Sequence, residues 1–180
     1  MGKKFKYISD DALKKCEGQD YECHHCGTLD KIRYDYFGQI VDPDLSFDPE
    51  FALEGSIDNA CEDCIKSGNL DKRGDDMIDF IEAGVDNPDE VLKVYNRMPT
   101  IPSFVQYTDL PMCCNQLTEY LGELALFDDR SDWQYWERGK PGDRYKAEDV
   151  PSNEELHVLG GSAAFKCLEC QKKYWTFQFT

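Results

Sequence analysis

The spacing Cys-x-x-Cys occurs three times in this chain, at Cys23/Cys26 (CHHCG), Cys61/Cys64 (CEDC) and Cys167/Cys170 (CLEC). A two-residue gap lets one tight turn aim both sulfurs at a single point, and two such turns complete the tetrahedron that a zinc ion takes. The first two pairs lie close in sequence, so Cys23, Cys26, Cys61 and Cys64 are the expected ligands of one Zn2+. Four thiolates leave no coordination position for water, so this zinc is expected to hold a fold rather than to hydrolyse a substrate. Spacing alone leaves open a different pairing of the three knuckles.

Cys167 and Cys170 need two further ligands to hold a second Zn2+. Cys113 and Cys114 are the remaining close thiols, with His157 as an imidazole donor. Neighbouring cysteines point in different directions on a helix or a strand, so both reaching one ion requires a local distortion of the backbone. A lone Cys-x-x-Cys also suits an unmetallated turn or a redox pair, and these readings stay open beside the metal. His24 and His25 sit inside a knuckle already supplied with sulfur and are expected at the surface. Cys16 has no partner at metal spacing and reads as an ordinary thiol.

The charge narrows the function classes. Lys plus Arg number 20 and Asp plus Glu number 36, for a net charge of −16. Phosphate backbones are repelled by such a surface, so no nucleic-acid partner is expected despite the cysteines. Another protein is the expected partner. The nine cysteines are an odd count that suits a reduced, cytoplasmic setting better than a full disulfide set. The polar stretch from Tyr7 to Lys15 does not resemble the apolar part of a signal peptide, and no membrane insertion is expected.

Periodicity predicts an α+β chain, read as a single domain over 1–180. In it, zinc-ribbon or treble-clef knuckles and a C-terminal β-hairpin pack on a helical middle segment. A zinc module spans 1–70, with a strand around Ile32 to Phe37 and a short helix, capped by Asp58, that carries Cys61 and Cys64. The segment 71–127 is predicted helical. Met77, Phe80 and Ile81 form one stripe. Asn87-Pro88-Asp89-Glu90 opens a second helix, which runs past Met98 to Pro99. Leu117, Tyr120, Leu121 and Leu124 form a third stripe. Residues 128–161 read as a polar connector interrupted by Trp133, Tyr135 and Trp136, which fold back onto the core. In 162–180, two alternating apolar rows flank Cys167 and Cys170 as a hairpin.

Several stretches together resemble the CbrC family of small bacterial proteins, named for a member linked to colicin tolerance. They are FKYISD, CHHCG, CEDCIKSGNL, MPTIPSFVQYTDLPMCCNQLTEYLG and FKCLECQKKYWTFQF. Ile8 and Ser9 replace a His-Pro common in that family's opening, and Gln116 stands where an acidic residue is frequent. The resemblance implies a cytoplasmic bacterial protein with cysteine-bound metal and no established biochemical activity, while the closed cysteine sites and strong acidity point to a protein-interaction module in a stress or bacteriocin-tolerance response. No Gly-rich phosphate loop, nucleophile elbow or His-Glu-x-x-His motif occurs, so no catalytic residue is assigned. Two other functions compete with an interaction module. One is an acidic protein that neutralises a basic toxin; the other is a thiol-dependent enzyme using Cys113/Cys114 or Cys167/Cys170.

Overall fold

The computed structural model describes residues 1–18, 21–72, 74–102, 109–137, 140–141 and 162–177. Strand β1 (Arg33–Ile40) is the centre of the first sheet, with Tyr34, Tyr36 and Ile40 turned inward at the two-residue period of a strand. It pairs antiparallel with β2 (Ile57–Cys61) on one side and β3 (Leu70–Asp71) on the other. A 3-10 turn (Pro43–Leu45) and helix α2 (Pro49–Glu54) fill the β1–β2 connection. Each begins with an Asp-Pro pair. The Asp48 carboxylate accepts the Phe51 amide at 3.0 Å, and Pro49 occupies the first helical turn, where no amide partner is needed.

Chain order gives further elements: α1 (Asp10–Leu13), α3 (Glu62–Ser67), α4 (Met77–Gly84) and α5 (Pro88–Tyr95). The cap of α3 is Cys61 itself. Asp58, expected in that role, lies in β2, because the strand continues up to the metal-ligand position. Gly68 closes α3 with φ 88°, in the left-handed region that glycine enters at no steric cost. Pro88 opens α5 as the sequence predicts, but that helix stops at Tyr95, before Met98.

The third helical stripe is overturned. Residues 112–123 form β4 (Met112–Cys113), β5 (Gln116–Leu117) and β6 (Glu119–Glu123). The register of β6 against β9 (Ser162–Lys166) shifts between Tyr120 and Gly122, where Gly122 has φ 111°. This bulge puts an extra residue into β6, and Leu117 of β5, Tyr120 of β6 and Leu124 of the following 3-10 turn belong to three different elements, so their helix-like spacing is a coincidence of the chain path. Trp133, Tyr135 and Trp136 belong to β7 (Trp133–Glu137), not to a connector. Of the 128–161 segment, 138–139 and 142–161, His157 included, lie outside the described residues, and β8 (Lys140–Pro141) stands between them.

The second sheet has the order β6-β9-β10-β7-β8, with β10 (Lys173–Phe177) antiparallel to β9 and parallel to β7. The C-terminal hairpin is therefore the middle of a sheet. One face contributes Tyr120, Phe165 and Tyr174 to the main core, which continues through Ile8, Tyr34, Ile57 and Ile65. The opposite face packs Trp133, Ala164 and Trp175 with Leu124 as a smaller core.

The first eighteen residues stitch the two sheets together. Ile8 bridges Tyr120 of β6, and Glu17 bridges Tyr34 of β1. The Ser9 amide donates to the Tyr120 carbonyl, and the Tyr120 amide donates to Tyr7, each at 2.9 Å. Ser9 also caps α1 through its hydroxyl. Ile8 is wholly buried, and Gln116 accepts the Tyr7 hydroxyl at 2.9 Å, so both side chains have defined places here.

Candidate metal centres

Two tetrads of cysteine sulfur assemble. One joins Cys23, Cys26, Cys61 and Cys64; the other joins Cys113, Cys114, Cys167 and Cys170. Within each, all four sulfurs lie within 4.8 Å of one another. A zinc–sulfur bond of about 2.3 Å in a regular tetrahedron separates neighbouring sulfurs by about 3.8 Å. The Cys26–Cys61 separation is 3.9 Å, Cys113–Cys114 is 3.8 Å and Cys113–Cys170 is 3.5 Å. These spacings fit a tetrahedral ion and are far from the ~2 Å of a disulfide. Either tetrad can hold a zinc ion. The third knuckle draws no ligand from the first two.

In the first tetrad, two kinds of local structure converge. Cys23 and Cys26 sit on a knuckle ahead of β1. Cys61 ends β2, and Cys64 lies in the first turn of α3. The Cys61 amide donates to the Cys23 sulfur at 3.3 Å. The Cys64 thiol, followed by the amides of Cys26, Cys61 and His25, holds Cys23 well below the ordinary thiol range, to about 4. Contact with Cys23, and then burial, push Cys64 upward. Four sulfurs this close cannot all ionise against their mutual repulsion, and a divalent cation supplies the compensating charge.

The second tetrad depends on a distorted turn. Cys113 pairs with Gln116 across a two-residue hairpin whose central residues are Cys114 and Asn115. Both have left-handed backbones, with φ 52° and 58°. This is the combination that a type I′ hairpin turn demands. It swings the Cys114 sulfur round to the same side as Cys113, which neither a regular helix nor a regular strand allows. The Tyr174 hydroxyl donates to the Cys113 sulfur at 3.2 Å. Cys170 is lowered to about 7, first by the Lys172 amide and then by the neighbouring thiols.

The knuckles of the two tetrads share one backbone design. The Cys23 amide donates to Thr28 and the Gly27 amide donates back to Cys23. Likewise, the Cys167 amide donates to Lys172 and the Gln171 amide donates back to Cys167. The residue after the second cysteine is left-handed in both, Gly27 at φ 69° and Gln171 at φ 62°. The tetrads differ in exposure. Cys23, Cys61 and Cys64 are buried and only Cys26 is exposed, whereas Cys114 and Cys170 are both exposed and Cys113 is half-buried.

Compared with protein-family models, curated proteins and solved structures, the chain has no significant match. The assignment of the centres therefore stands on their geometry.

His25 is buried, not exposed. Its Nε2 lies 2.8 Å from Asn69 Nδ2, which also donates to the Asp42 carbonyl. An amide nitrogen can only donate, so Nε2 accepts and the ring is neutral. Burial, opposed by Cys23, lowers the affinity of His25 for a proton in the same direction. His24 accepts the Asp58 amide at 3.2 Å and stacks edge-on against Phe51. The two histidines thus fasten the knuckle to its surroundings. Cys16 stays outside both tetrads. It is buried, its thiol donates to the Ala12 carbonyl at 3.8 Å, and burial raises it to about 12. Sequence reasoning misses Asn69 and Tyr174 as supports of the centres, because neither lies at ligand spacing from a cysteine.

Proposed function

We propose that this chain is a zinc-stabilised interaction protein of the CbrC type, in which two cysteine-bound ions fix a surface that docks another protein. The completeness of both tetrads in sulfur carries the reading. Each thiolate set fills a tetrahedral ion, so no position is left for water or a substrate. The same completeness weighs against the thiol-enzyme reading, since Cys113, Cys114, Cys167 and Cys170 all belong to one tetrad. Among the described residues, no helix is long and apolar enough to cross a membrane. A cytoplasmic location and a part in bacteriocin tolerance complete the proposal on the strength of the motif resemblance. The net charge of −16 supports a basic partner, a toxin included.

The test pairs metal analysis with capture. Protein purified without added metal is expected to carry two zinc ions, and wild type is expected to retain a partner from a lysate that a Cys61→Ala variant loses. Equal capture by both proteins, or metal-free wild type, refutes the reading.

A further inference from the structure

The first knuckle carries an exposed apolar surface. Phe47 packs on it, with its ring carbons 3.0 Å from the position a Cβ on Gly27 would take, and its amide donates to the His25 carbonyl at 2.9 Å. Phe51 lies 5.4 Å, ring to ring, from His24. Even so, Phe47 is 48 % and Phe51 38 % exposed, and the flanking Leu45 and Leu53 are more exposed still, at 62 % and 74 %. Four large apolar side chains within nine residues, all open to water, are more than solubility explains.

Their electrostatic setting is one-sided. From Tyr34 through Ile65 there is no lysine or arginine, while nine residues are Asp or Glu. Asp42, Asp44, Asp48 and Glu50 interleave with the apolar residues. Among the described residues, no cation pairs with these four carboxylates. Aromatic anchors framed by unpaired negative charge suit a partner that presents apolar side chains framed by positive charge.

We propose that the Leu45–Leu53 segment, seated on the first zinc knuckle, is the docking surface for a cationic amphipathic protein segment. The partner's apolar side chains cover Phe47 and Phe51, and its lysines or arginines meet Asp42, Asp44, Asp48 and Glu50. The proposal rests on the interaction reading above and names the face and the partner's chemistry. Because both rings lean on residues 24–27, metal at the first tetrad sets their position.

The probe is a synthetic amphipathic helical peptide bearing Lys and Leu, labelled for fluorescence anisotropy and titrated with zinc-loaded full-length protein. A polylysine peptide and an acidic version of the amphipath serve as comparisons. Saturable binding that weakens with salt is expected for the cationic amphipath alone. Phe47→Ser/Phe51→Ser is expected to weaken it about tenfold or more, from the loss of two apolar anchors. Asp44→Lys/Glu50→Lys, which leaves both rings and the Asp48 cap in place, is expected to weaken it comparably and to remove most of the salt dependence. Zinc content equal to wild type shows that each variant is folded.

Undiminished binding by both zinc-loaded variants, equal binding of polylysine, or no binding of the amphipath overturns the proposal. Loss of self-association in the aromatic variant, with no peptide binding by wild type, assigns the face to a second copy instead and overturns it too. Should peptide binding fail while lysate capture still depends on Cys61, the interaction reading survives and only this surface is wrong. Failure of both sinks the two together.

Discussion

The matched knuckles permit a reciprocal test of backbone strain. Gln171 and Gly27 occupy equivalent left-handed positions, yet only one of them is glycine. A left-handed backbone costs a residue with a Cβ about 1–2 kcal/mol. Glycine recovers that cost but loses about 0.5–1 kcal/mol through the greater freedom of its unfolded chain. Gln171→Gly also forfeits an exposed bond from Gln171 Nε2 to the Leu168 carbonyl, worth a few tenths of a kcal/mol. The balance is a gain of about 0.5 kcal/mol. Gly27→Ala runs the exchange backwards and adds a methyl 3.0 Å from the Phe47 ring, for a loss of about 1–2 kcal/mol. At roughly 2–4 °C per kcal/mol in a chain of this size, melting of the zinc-loaded proteins should rise by about 1–2 °C for Gln171→Gly. It should fall by about 2–8 °C for Gly27→Ala. Zinc content is measured alongside, so that metal loss is not mistaken for backbone strain. A neutral or stabilising Gly27→Ala, or a Gln171→Gly that melts lower than wild type, refutes the claim that the two turns are equivalent.

The unequal exposure of the tetrads predicts release of zinc to a competing chelator in two steps, with the Cys113/Cys114/Cys167/Cys170 ion leaving first. Native mass spectrometry with a Cys114→Ser variant identifies the phase, and loss of the Cys23-containing site first contradicts it. Tyr174→Phe removes the hydroxyl that reaches Cys113 and should speed that first phase about two- to tenfold while leaving the second unchanged, as read by stopped-flow chelation. Lys72 is buried against Tyr95 and Tyr36, its Nζ 4.4 Å and 5.4 Å from their ring centres, and donates to the Pro99 carbonyl. Burial lowers it from 10.5 to about 8, with Asp75 and Cys16 opposing. Below pH 8 both the folded and unfolded chains carry this charge and the folded state bears its desolvation. Between pH 8 and 10.5 the unfolded chain alone keeps the proton, so this group's contribution to stability rises by about 3 kcal/mol across that window. Lys72→Met should abolish that rise and raise stability at pH 7 by up to about the same amount. Urea midpoints measured at pH 7 and 10 decide it, and an unchanged pH slope counts against the argument.

The legibility of these features followed their range along the chain. The first tetrad could be read because each of its pairs is a local turn, and the hairpin around Cys167 and Cys170 because Ala163 and Phe165 on one strand, and Trp175 and Phe177 on the other, recur at an uninterrupted two-residue period. The four cysteines of the second tetrad were nameable as candidates, but their convergence was not, because it depends on left-handed backbones at Cys114 and Asn115, and neither residue is the glycine that advertises such a turn. The 117–124 stripe misled because its members come from two short strands and a 3-10 turn, with a bulge before Gly122 breaking the two-residue period of the second strand. Strand β7 was hidden in polar sequence, since its partner β10 comes some forty residues later and runs parallel to it. The burial of His25 depends on Asn69, forty-four residues away, so nothing in CHHCG announces it.

The stitch made by Ile8 and Glu17 bears on the order in which the chain folds. The first tetrad closes a span of 38 residues between Cys23 and Cys61, whereas Ile8 must wait for Tyr120. The longer closure costs about 1 kcal/mol more in chain entropy, and little else forms at that contact until both sheets exist. Refolding should therefore grip the first ion early and fasten Ile8 to Tyr120 last, as a latch that commits two separately formed halves to each other.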